Sequence, residues 1–358
     1  MKTPRRCTRT VAVGDVKIGG QAPVSIQSMT TTDTEDVRST VAQINELAQA
    51  GCDIVRVAVP QLRSAKAIGD IRGEISVPLV ADIHFDYRLA LEALRQGADK
   101  VRINPGNIRK REKVEDIVKL ARDTGAAVRI GVNSGSIRPR DREGVPQGSD
   151  NLVDIMVSSV LSYCEEFESW GFQDTVLSLK TAEPLTTVEA YRKVAPLCDY
   201  PLHIGVTSAG TGHSGLIKSA TALGSLLMEG IGDTIRVSLT GSPVPEAGAA
   251  RDILKAAGCY KSGVEMVSCP TCGRCQIDLS AIYAQVEQAT AMIRKHIKVA
   301  VMGCVVNGPG EAADADVGIA GGKGFGYVFK KGKKLRRVPE AELADALIAE
   351  IKKETRGE

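Results

Sequence analysis

The stretch Lys100-Val101-Arg102-Ile103-Asn104 decides the fold, because it belongs to one of eight short, β-branched runs in the first two thirds of the chain. Segments with apolar residues at helical spacing separate the runs, and this alternation is the pattern of a (β/α)8 barrel. The eight predicted strands are Val24–Ser28, Ile54–Val59, Leu79–Asp82, Lys100–Ile103, Val128–Val132, Thr175–Leu179, Leu202–Val206 and Thr234–Leu239.

Several of the intervening segments read as helices that end before a glycine, namely Thr34–Ala50, Tyr87–Gln96, Lys113–Thr124 and Ser214–Glu229. An open doubly wound sheet shows the same alternation, but it rarely needs eight consecutive units, and no convincing G-x-G-x-x-G follows the first strand. We therefore predict an α/β fold with a TIM-type barrel over residues 1–257. The runs Val11–Val13 and Val16–Ile18 flank a Gly-Asp pair, and we interpret them as a hairpin that plugs the bottom of the barrel.

The alternation stops after residue 257, and residues 258–358 are predicted to form a smaller α+β domain. A helix is expected at Leu279–Lys295 and a strand at Lys298–Met302. A glycine-rich, sheet-like region and a terminal helix at Glu340–Lys353 follow.

Composition describes an ordinary globular chain of 358 residues, with 43% hydrophobic and 25% charged residues. Its 46 basic and 43 acidic side chains leave a net charge of +3, which gives no general reason to expect nucleic acid or a membrane surface. The first ten residues lack the apolar run of a signal peptide, so we expect a cytoplasmic location. The nine cysteines are an odd number and do not suggest a disulfide framework.

Positive charge recurs inside the predicted strands, with an arginine between β-branched neighbours in four of them and a lysine at the end of a fifth. Burying a guanidinium costs several kcal/mol unless an anion meets it. For one arginine alone, a barrel carboxylate such as Asp82 is a sufficient partner. Repetition at one end of the barrel instead predicts a small polyphosphorylated substrate. The cations are Arg56, Arg102, Arg129, Lys180 and Arg236.

Polar side chains stand beside these cations and are candidates for orienting a substrate: Asp82, His84, Asn104, Asn133, His203 and Ser238. His84 lies at a strand end before a loop, where catalytic groups of barrels are found. His203 lies inside an apolar strand, so a satisfied core histidine is an equally natural interpretation.

Cysteines cluster in the C-terminal third, where Cys269, Cys272 and Cys275 fall within seven residues and Cys304 follows. Such soft ligands indicate zinc or an iron-sulfur cluster. A structural zinc knuckle is the simpler alternative, but four-cysteine zinc sites usually pair two knuckles, and Cys304 has no cysteine neighbour in sequence.

The chain resembles the hydroxymethylbutenyl diphosphate synthase family in two cysteine-bearing segments, Cys269–Arg274 and Met302–Glu311. The strand-end segments Val101–Asn107, His203–Gly210 and Ile231–Leu239 also match in order and spacing. The resemblance implies a 4Fe-4S cluster in the second domain, held by Cys269, Cys272, Cys304 and, unusually, Glu311. It also implies catalytic roles for Glu311, Asn307, Asp82 and His84.

The function implied by the resemblance is reductive ring opening and dehydration of methylerythritol cyclodiphosphate to hydroxymethylbutenyl diphosphate, in the non-mevalonate isoprenoid pathway. The electrons would come one at a time from reduced flavodoxin or ferredoxin, and the family forms homodimers. The chain departs from the family pattern at two positions. Cys275 is an extra thiol, and Ser208 stands where the family usually has a glutamate.

Two other functions remain open from the residues alone. A pterin-dependent transferase barrel of the dihydropteroate synthase kind would share the strand-end polar groups but leave the cysteines without a role. A zinc-ribbon nucleic-acid binder could use the cysteines with the basic run Lys330–Arg337, although aromatic residues for base stacking make up only 4% of the chain.

Overall fold

The computed structural model describes residues 3–104, 107, 108, 110–137, 149–305, 310 and 312–356. The chain divides into two compact units, Met1–Tyr260 and Lys261–Glu358. The division lies three residues beyond the boundary expected from the sequence.

The first unit is a nearly closed barrel of eight parallel strands, β3 to β10, in the order β8-β7-β6-β5-β4-β3-β10-β9. A single parallel bridge between Leu177 and Leu202 joins the two ends of the sheet. This architecture confirms the TIM-type barrel. The strands are Ser25–Met29, Ile54–Ala58, Leu79–Asp82, Lys100–Ile103, Ala127–Asn133, Thr175–Lys180, His203–Ile204 and Thr234–Ile235.

Helices cover the outside of the barrel and bury their apolar stripes against the strands. The side chain of Asp36 caps the first helix by accepting from Ser39 N, as expected for an N-cap aspartate. The helices α1 to α9 are Val37–Gln49, Leu62–Glu74, Tyr87–Arg95, Arg111–Thr124, Ser134–Ile137, Ser149–Ser169, Pro184–Val194, Gly212–Met228 and Val244–Ala256.

The last two barrel strands, β9 and β10, are much shorter than the runs Leu202–Val206 and Thr234–Leu239 predicted for them. The ladder continues past them only as isolated bonds, such as Arg236 N donating to Ile204 O at 3.1 Å. Beyond this point the backbone turns, and Ser208 adopts a left-handed conformation with φ of 52°. The chain therefore leaves the sheet early, and the residues that follow each strand form part of the rim of the barrel.

A two-stranded hairpin, β1 (Thr10–Val13) and β2 (Val16–Gly19), closes one end of the barrel. Its fully buried Val11, Val13 and Ile18 pack against Ile54, Val80, Ala127 and Val176 near the starts of the strands. The hairpin is thus the plug that the sequence predicts.

The second unit contains a five-stranded mixed sheet in the order β11-β12-β13-β14-β15. Helices α10 (Leu279–Thr290) and α11 (Leu343–Thr355) pack on one face of it, and a 3-10 turn at Glu340–Glu342 precedes α11. Helix α10 ends at Thr290, earlier than expected, where the threonine hydroxyl donates back to Val286 O. The strands are Val264–Ser268, Ile297–Met302, Val317–Gly322, Phe325–Lys330 and Lys333–Pro339.

Within the residues that the structure covers, every helix is too short or too polar to cross a lipid bilayer.

Shortening one buried side chain of the plug tests how much the hairpin stabilises the barrel. Replacing the fully buried Ile18 by alanine removes apolar contacts at the closed end, and we expect the free energy of unfolding to fall by about 2 to 5 kcal/mol. Urea unfolding followed by fluorescence reports on this unit alone, because the single tryptophan, Trp170, packs against the barrel core. The exposed neighbour Lys17 is the control, since Lys17→Ala should change stability by less than about 0.5 kcal/mol. Equal effects of the two substitutions would show that the hairpin does not support the barrel.

Candidate active site

A polar cavity of about 180 Å³ opens at the carboxyl ends of the barrel strands. Catalytic groups of TIM-type barrels lie at this end of the fold. The cavity is lined by Arg56, Asp82, His84, Arg102, Arg129, Asn133, Ser178, Lys180, Val206, Thr207, Arg236 and Ser238.

A row of three charged residues crosses neighbouring strands beneath the cavity. Asp82 pairs in register with Arg102, and Arg102 pairs with Arg129 on the next strand. The Arg102 Nη1 atom lies 3.1 Å from Asp82 Oδ1, and Arg102 Nη2 donates to Gly131 O at 3.2 Å. Arg56 approaches the other oxygen of Asp82 at 3.8 Å. Arg56 and Arg102 thus share the carboxylate of Asp82.

Burial and neighbouring charge act in opposite directions on Asp82. Burial raises the pKa of its carboxyl, but attraction to Arg56 and Arg102 outweighs burial and lowers the pKa to about 2. For Arg56, burial lowers the pKa to about 10 despite the attraction of Asp82. Both groups are therefore charged at neutral pH.

Arg129 and Lys180 form no ion pair with a carboxylate in the described part of the chain. Arg129 Nη1 donates to Gln27 Oε1 at 3.2 Å, while its Nε atom has no hydrogen-bond partner among the described residues. Burial, and then repulsion by neighbouring arginines, lowers the pKa of both side chains well below their ordinary values. An anionic ligand supplies the missing partner and favours the charged forms of both side chains.

Arg236 is held from a different direction, by Glu246 in the first turn of α9. Its Nε atom lies 3.6 Å from Glu246 Oε2, which also accepts from Ser28 Oγ at 2.9 Å. The other oxygen of Glu246 accepts from Leu239 N at 2.8 Å. The Met29 sulfur, a weak acceptor, lies 3.1 Å from Arg56 Nε and 3.6 Å from Arg236 Nη1. These contacts orient the guanidinium groups and leave donors for a ligand.

The structure brings most of the candidate residues together. Nine of them line the cavity: Arg56, Asp82, His84, Arg102, Arg129, Asn133, Lys180, Arg236 and Ser238. Asn104 is buried nearby in sequence, where its carbonyl oxygen accepts from Asn107 N, but it is not in the lining. Asn307 and Glu311 lie outside the described residues.

His203 is fully buried and does not line the cavity. Its Nδ1 atom lies 3.4 Å from Thr234 Oγ1 inside the barrel. Burial, followed by repulsion from Lys180 and Arg129, lowers the pKa of the ring well below its ordinary value. This position agrees with the core interpretation of the sequence, and a substrate-binding role for His203 stays a prediction.

Sequence reasoning missed three buried polar residues of this region. Lys100 precedes Arg102 by two positions, so the strand period alone directs it to the same side. Gln27 interrupts an apolar run in the same manner. Glu246 gave no signal, because an acid in the first turn of a helix is ordinary.

The cysteine segments of the second unit are tied together by the backbone. Gln276 N donates to Gly303 O at 2.9 Å, and Gly303 N donates to the Cys269 sulfur at 3.2 Å. Hydrogen bonds from the backbone and side chain of Arg274 lower the pKa of the exposed Cys272 thiol. The Cys275 sulfur instead donates to Ile277 O at 3.3 Å.

A metal centre is not preformed among the residues described, where no three His, Cys, Asp or Glu side chains are grouped to hold an ion. The donor chemistry nevertheless fits an iron-sulfur cluster. Two thiol-bearing loops are joined, and a peptide N–H points at the Cys269 sulfur, which is the kind of hydrogen bond that tunes such clusters.

A (β/α)8 barrel with a cation-lined cavity, followed by a cysteine-bearing mixed sheet, defines a two-unit barrel enzyme. Comparison with known families is specific. Residues 8–251 match the GcpE TIM-barrel domain and residues 265–353 match the GcpE protein C-terminal domain. The chain therefore belongs to the GcpE family, and it is an oxidoreductase. The family resemblance drawn from the sequence is confirmed.

Curated relatives match along almost the whole chain. A protein of Geobacter sulfurreducens is 53% identical over 346 residues, covering 97% of each chain. A protein of Clostridium perfringens is 54% identical, covering 96% of this chain and 98% of its own length. A protein of Bacillus subtilis is 52% identical, covering 98% and 92%. All three are named 4-hydroxy-3-methylbut-2-en-1-yl diphosphate synthase (flavodoxin).

Solved structures resemble the barrel at much lower identity. A dihydropteroate synthase from Stenotrophomonas maltophilia covers 70% of this chain and 97% of its own, with a TM-score of 0.52 and 14% identity. One from Coxiella burnetii has a TM-score of 0.50 and 12% identity, covering 70% and 97%. At such identities the likeness shows the fold alone.

Removing the shared carboxylate tests the charge balance beneath the cavity. We expect Asp82→Asn to lower the free energy of unfolding at pH 7 by about 3 to 5 kcal/mol, because Arg56 and Arg102 lose their common partner. Denaturant titrations at several pH values measure this cost.

The pH dependence has a definite sign. Because the folded pKa of Asp82 is lowered to about 2, its contribution is present above the unfolded value near 3.8 and is lost as pH falls toward 2. The gap between wild type and variant should therefore narrow below pH 4. Asp86→Asn, which breaks an exposed pair with Arg88, is the control and should cost less than about 1 kcal/mol. A gap for Asp82→Asn that is constant with pH would contradict the ion-pair explanation.

Proposed function

We propose that this chain catalyses the reaction named for its relatives, the formation of (E)-4-hydroxy-3-methylbut-2-enyl diphosphate from 2-C-methyl-D-erythritol 2,4-cyclodiphosphate. The ring is opened with two electrons, and one oxygen leaves as water. The observation that carries this proposal is the cavity of a GcpE-family barrel, where five cationic side chains surround one carboxylate among the described lining residues.

The cationic side chains bind the diphosphate in this proposal. Planar guanidinium groups donate two parallel hydrogen bonds to phosphate oxygens, so Arg102 and Arg129, adjacent in register, suit neighbouring oxygens. Lys180 on β8 and Asn133 on β7 lie opposite each other and contact the same ligand. Arg56, Arg236 and Ser238 complete the phosphate contacts. Asn104 and His203 stay predicted substrate contacts.

Asp82 and His84 act on the rest of the substrate. Asp82 is held ionised by its arginine neighbours, so it accepts a hydrogen bond from a substrate hydroxyl and does not donate one. His84 is exposed just after β5 and lines the cavity, so its ring nitrogens can reach both solvent and a bound substrate.

A 4Fe-4S cluster is the proposed cofactor, held by Cys269, Cys272, Cys304 and Glu311, with Asn307 as a catalytic neighbour in sequence. When bound, such a cluster supplies electrons one at a time. The joined cysteine loops and the N–H donated to Cys269 support this assignment. The carboxylate of Glu311 is a harder ligand than a thiolate and is more easily exchanged.

The proposed electron donor is flavodoxin, which the relatives' names specify, with ferredoxin as the alternative carrier. A homodimer in the cytoplasm completes the proposal.

Neutralising one buried arginine tests diphosphate binding. We expect Arg102→Met or Arg129→Met to weaken substrate binding by about 2 to 5 kcal/mol, because a desolvated charge pair loses one partner. Calorimetric titration of substrate into the anaerobic enzyme measures the loss. The cluster spectrum should be unchanged in both variants. Unaltered affinity would instead make these arginines internal structural cations.

Serine substitutions test the cluster ligands. We expect Cys269→Ser, Cys272→Ser and Cys304→Ser each to abolish cluster assembly, read from iron and acid-labile sulfide content and the anaerobic visible spectrum. Cys275→Ser is the matched control and should retain the cluster, since that thiol is turned to the Ile277 carbonyl. Iron near the wild-type level in any of the first three variants removes that ligand. Zinc without sulfide in the wild type would overturn the cluster altogether.

A further inference from the structure

Strand β15, the end of β14 and the turn between them carry a run of cations in the second unit. We call the six cations Lys330, Lys331, Lys333, Lys334, Arg336 and Arg337 the cationic ribbon. Strand β15 is the last strand of its sheet, and residues 333–337 are exposed. Charges on an edge strand prevent pairing with other chains, which is sufficient reason for a few lysines there. The distribution of the cations between the two faces of the sheet indicates a further role.

On the helix-covered face, two of the ribbon's charges are neutralised within the unit, while Lys333, paired in register with Lys330, is exposed at the sheet edge. Arg336 lies 3.8 Å from Glu350 of α11, and Lys330 forms an ion pair with Glu354 of the same helix. These two cations are therefore part of the packing between sheet and helix.

On the opposite face, the cations meet aromatic rings. Lys334 Nζ lies 4.6 Å from the ring centre of Tyr327, and the Arg337 guanidinium carbon lies 3.8 Å from that of Phe325. Neither cation forms an ion pair with a carboxylate in the described ranges. Stacking fixes their position and leaves their positive charge uncompensated.

The open face that carries Lys334 and Arg337 also contacts Cys269, which packs against the helix-covered side as well. An apolar cluster of Ala300, Met302, Ala320 and Phe329 packs on this face against Cys269 and Val305, the residue after Cys304. Tyr327, Phe329 and Lys334 line one small cavity together with Val305. The cationic side chains therefore lie on a side of the sheet against which Cys269 and Val305 also pack.

The strand register gives the distance from the strand that leads to Cys304 to the cationic residue Arg337. Met302, two residues before Cys304, pairs with Ala320, which pairs with Tyr327, which pairs with Arg337. Three strand spacings of about 4.8 Å make roughly 14 Å between the first and last of these residues. A standard interface of about 800 Å² per partner is some 30 Å wide, so one docked protein covers both.

We propose that the open face around Lys334 and Arg337, together with the adjacent exposed sheet edge at Lys333, is the docking surface for an acidic one-electron carrier protein. The inference rests on the proposed function, which requires such a carrier. Each docking event transfers one electron, leaving the carrier oxidised by one electron, and two events supply one turnover. Nucleic acid fits this surface less well, because Lys334 and Arg337 cover the rings on which bases would stack.

Charge reversal in the intact enzyme tests the surface. The variant K333E/K334E/R337E should bind a purified, oxidised bacterial flavodoxin at least about tenfold more weakly than wild type, because complementary charge steers and holds the encounter. Its affinity should also lose most of its dependence on salt. Calorimetric titration at low and physiological ionic strength measures both effects. The neutral variant K333Q/K334Q/R337Q should fall between the two and guards against a folding defect.

The matched control carries the same change in net charge on the barrel. Arg38, Arg63 and Lys66 are exposed on α1 and α2, and R38E/R63E/K66E should bind flavodoxin as wild type does. Turnover with reduced methyl viologen, which needs no protein dock, and iron content should be equal in all variants. If the control variant weakened flavodoxin binding equally, the loss would be an effect of net charge alone. That result would overturn the proposal.

The flavodoxin-binding measurement tests the docking surface independently of turnover. Unchanged flavodoxin affinity in K333E/K334E/R337E, or no binding to wild type, overturns the proposal. So does tighter binding of wild type to a single-stranded oligonucleotide than to flavodoxin at the same salt. A wild-type enzyme without turnover on either donor would overturn the proposed function instead, while ribbon-dependent flavodoxin binding would still support the docking surface.

Discussion

Uncompensated positive charge in the barrel is the constraint on which the rest of this structure depends. Lys100, Arg129 and Lys180 are buried, and no carboxylate of a described residue forms an ion pair with them. Burial, with repulsion by neighbouring arginines, lowers the pKa of all three groups, and an anion bound in the cavity beside Arg129 and Lys180 relieves that cost. The strands hold the cations in place before the ligand arrives, so little reorganisation accompanies binding.

The two carboxylates of this region stabilise the arrangement in different ways. Asp82 lies within the row of strand residues and divides its charge between Arg56 and Arg102. Glu246 comes from outside the barrel and joins α9 to Ser28 and to the backbone of Leu239. The first fixes the side chains within the sheet, and the second fixes the chain that leaves it. Functional groups on strands supported in this way hold their geometry better than groups on free loops.

The sequence could predict the features that local, repeated patterns determine, and it could not predict those that depend on distant contacts. Strand-helix alternation and the Gly14 hairpin were readable, because local patterning determines them. Arg102 and Arg129 were found because a guanidinium in an apolar run is costly wherever it occurs. The early ends of β9 and β10 were not readable, because the apolar runs continue past both strands, and nothing in the local sequence requires the left-handed conformation of Ser208 that follows β9. Glu246 was invisible because an acid in the first turn of a helix is ordinary, and its partner Ser28 is distant in sequence.

The β1–β2 plug closes the barrel at the end where the strands begin. With Val11, Val13 and Ile18 sealing the lower end, substrate and product exchange through the same opening at the carboxyl ends of the strands. Substrate and product are both diphosphates, so they compete for the same cations beside the cavity, and product must leave before the next substrate binds.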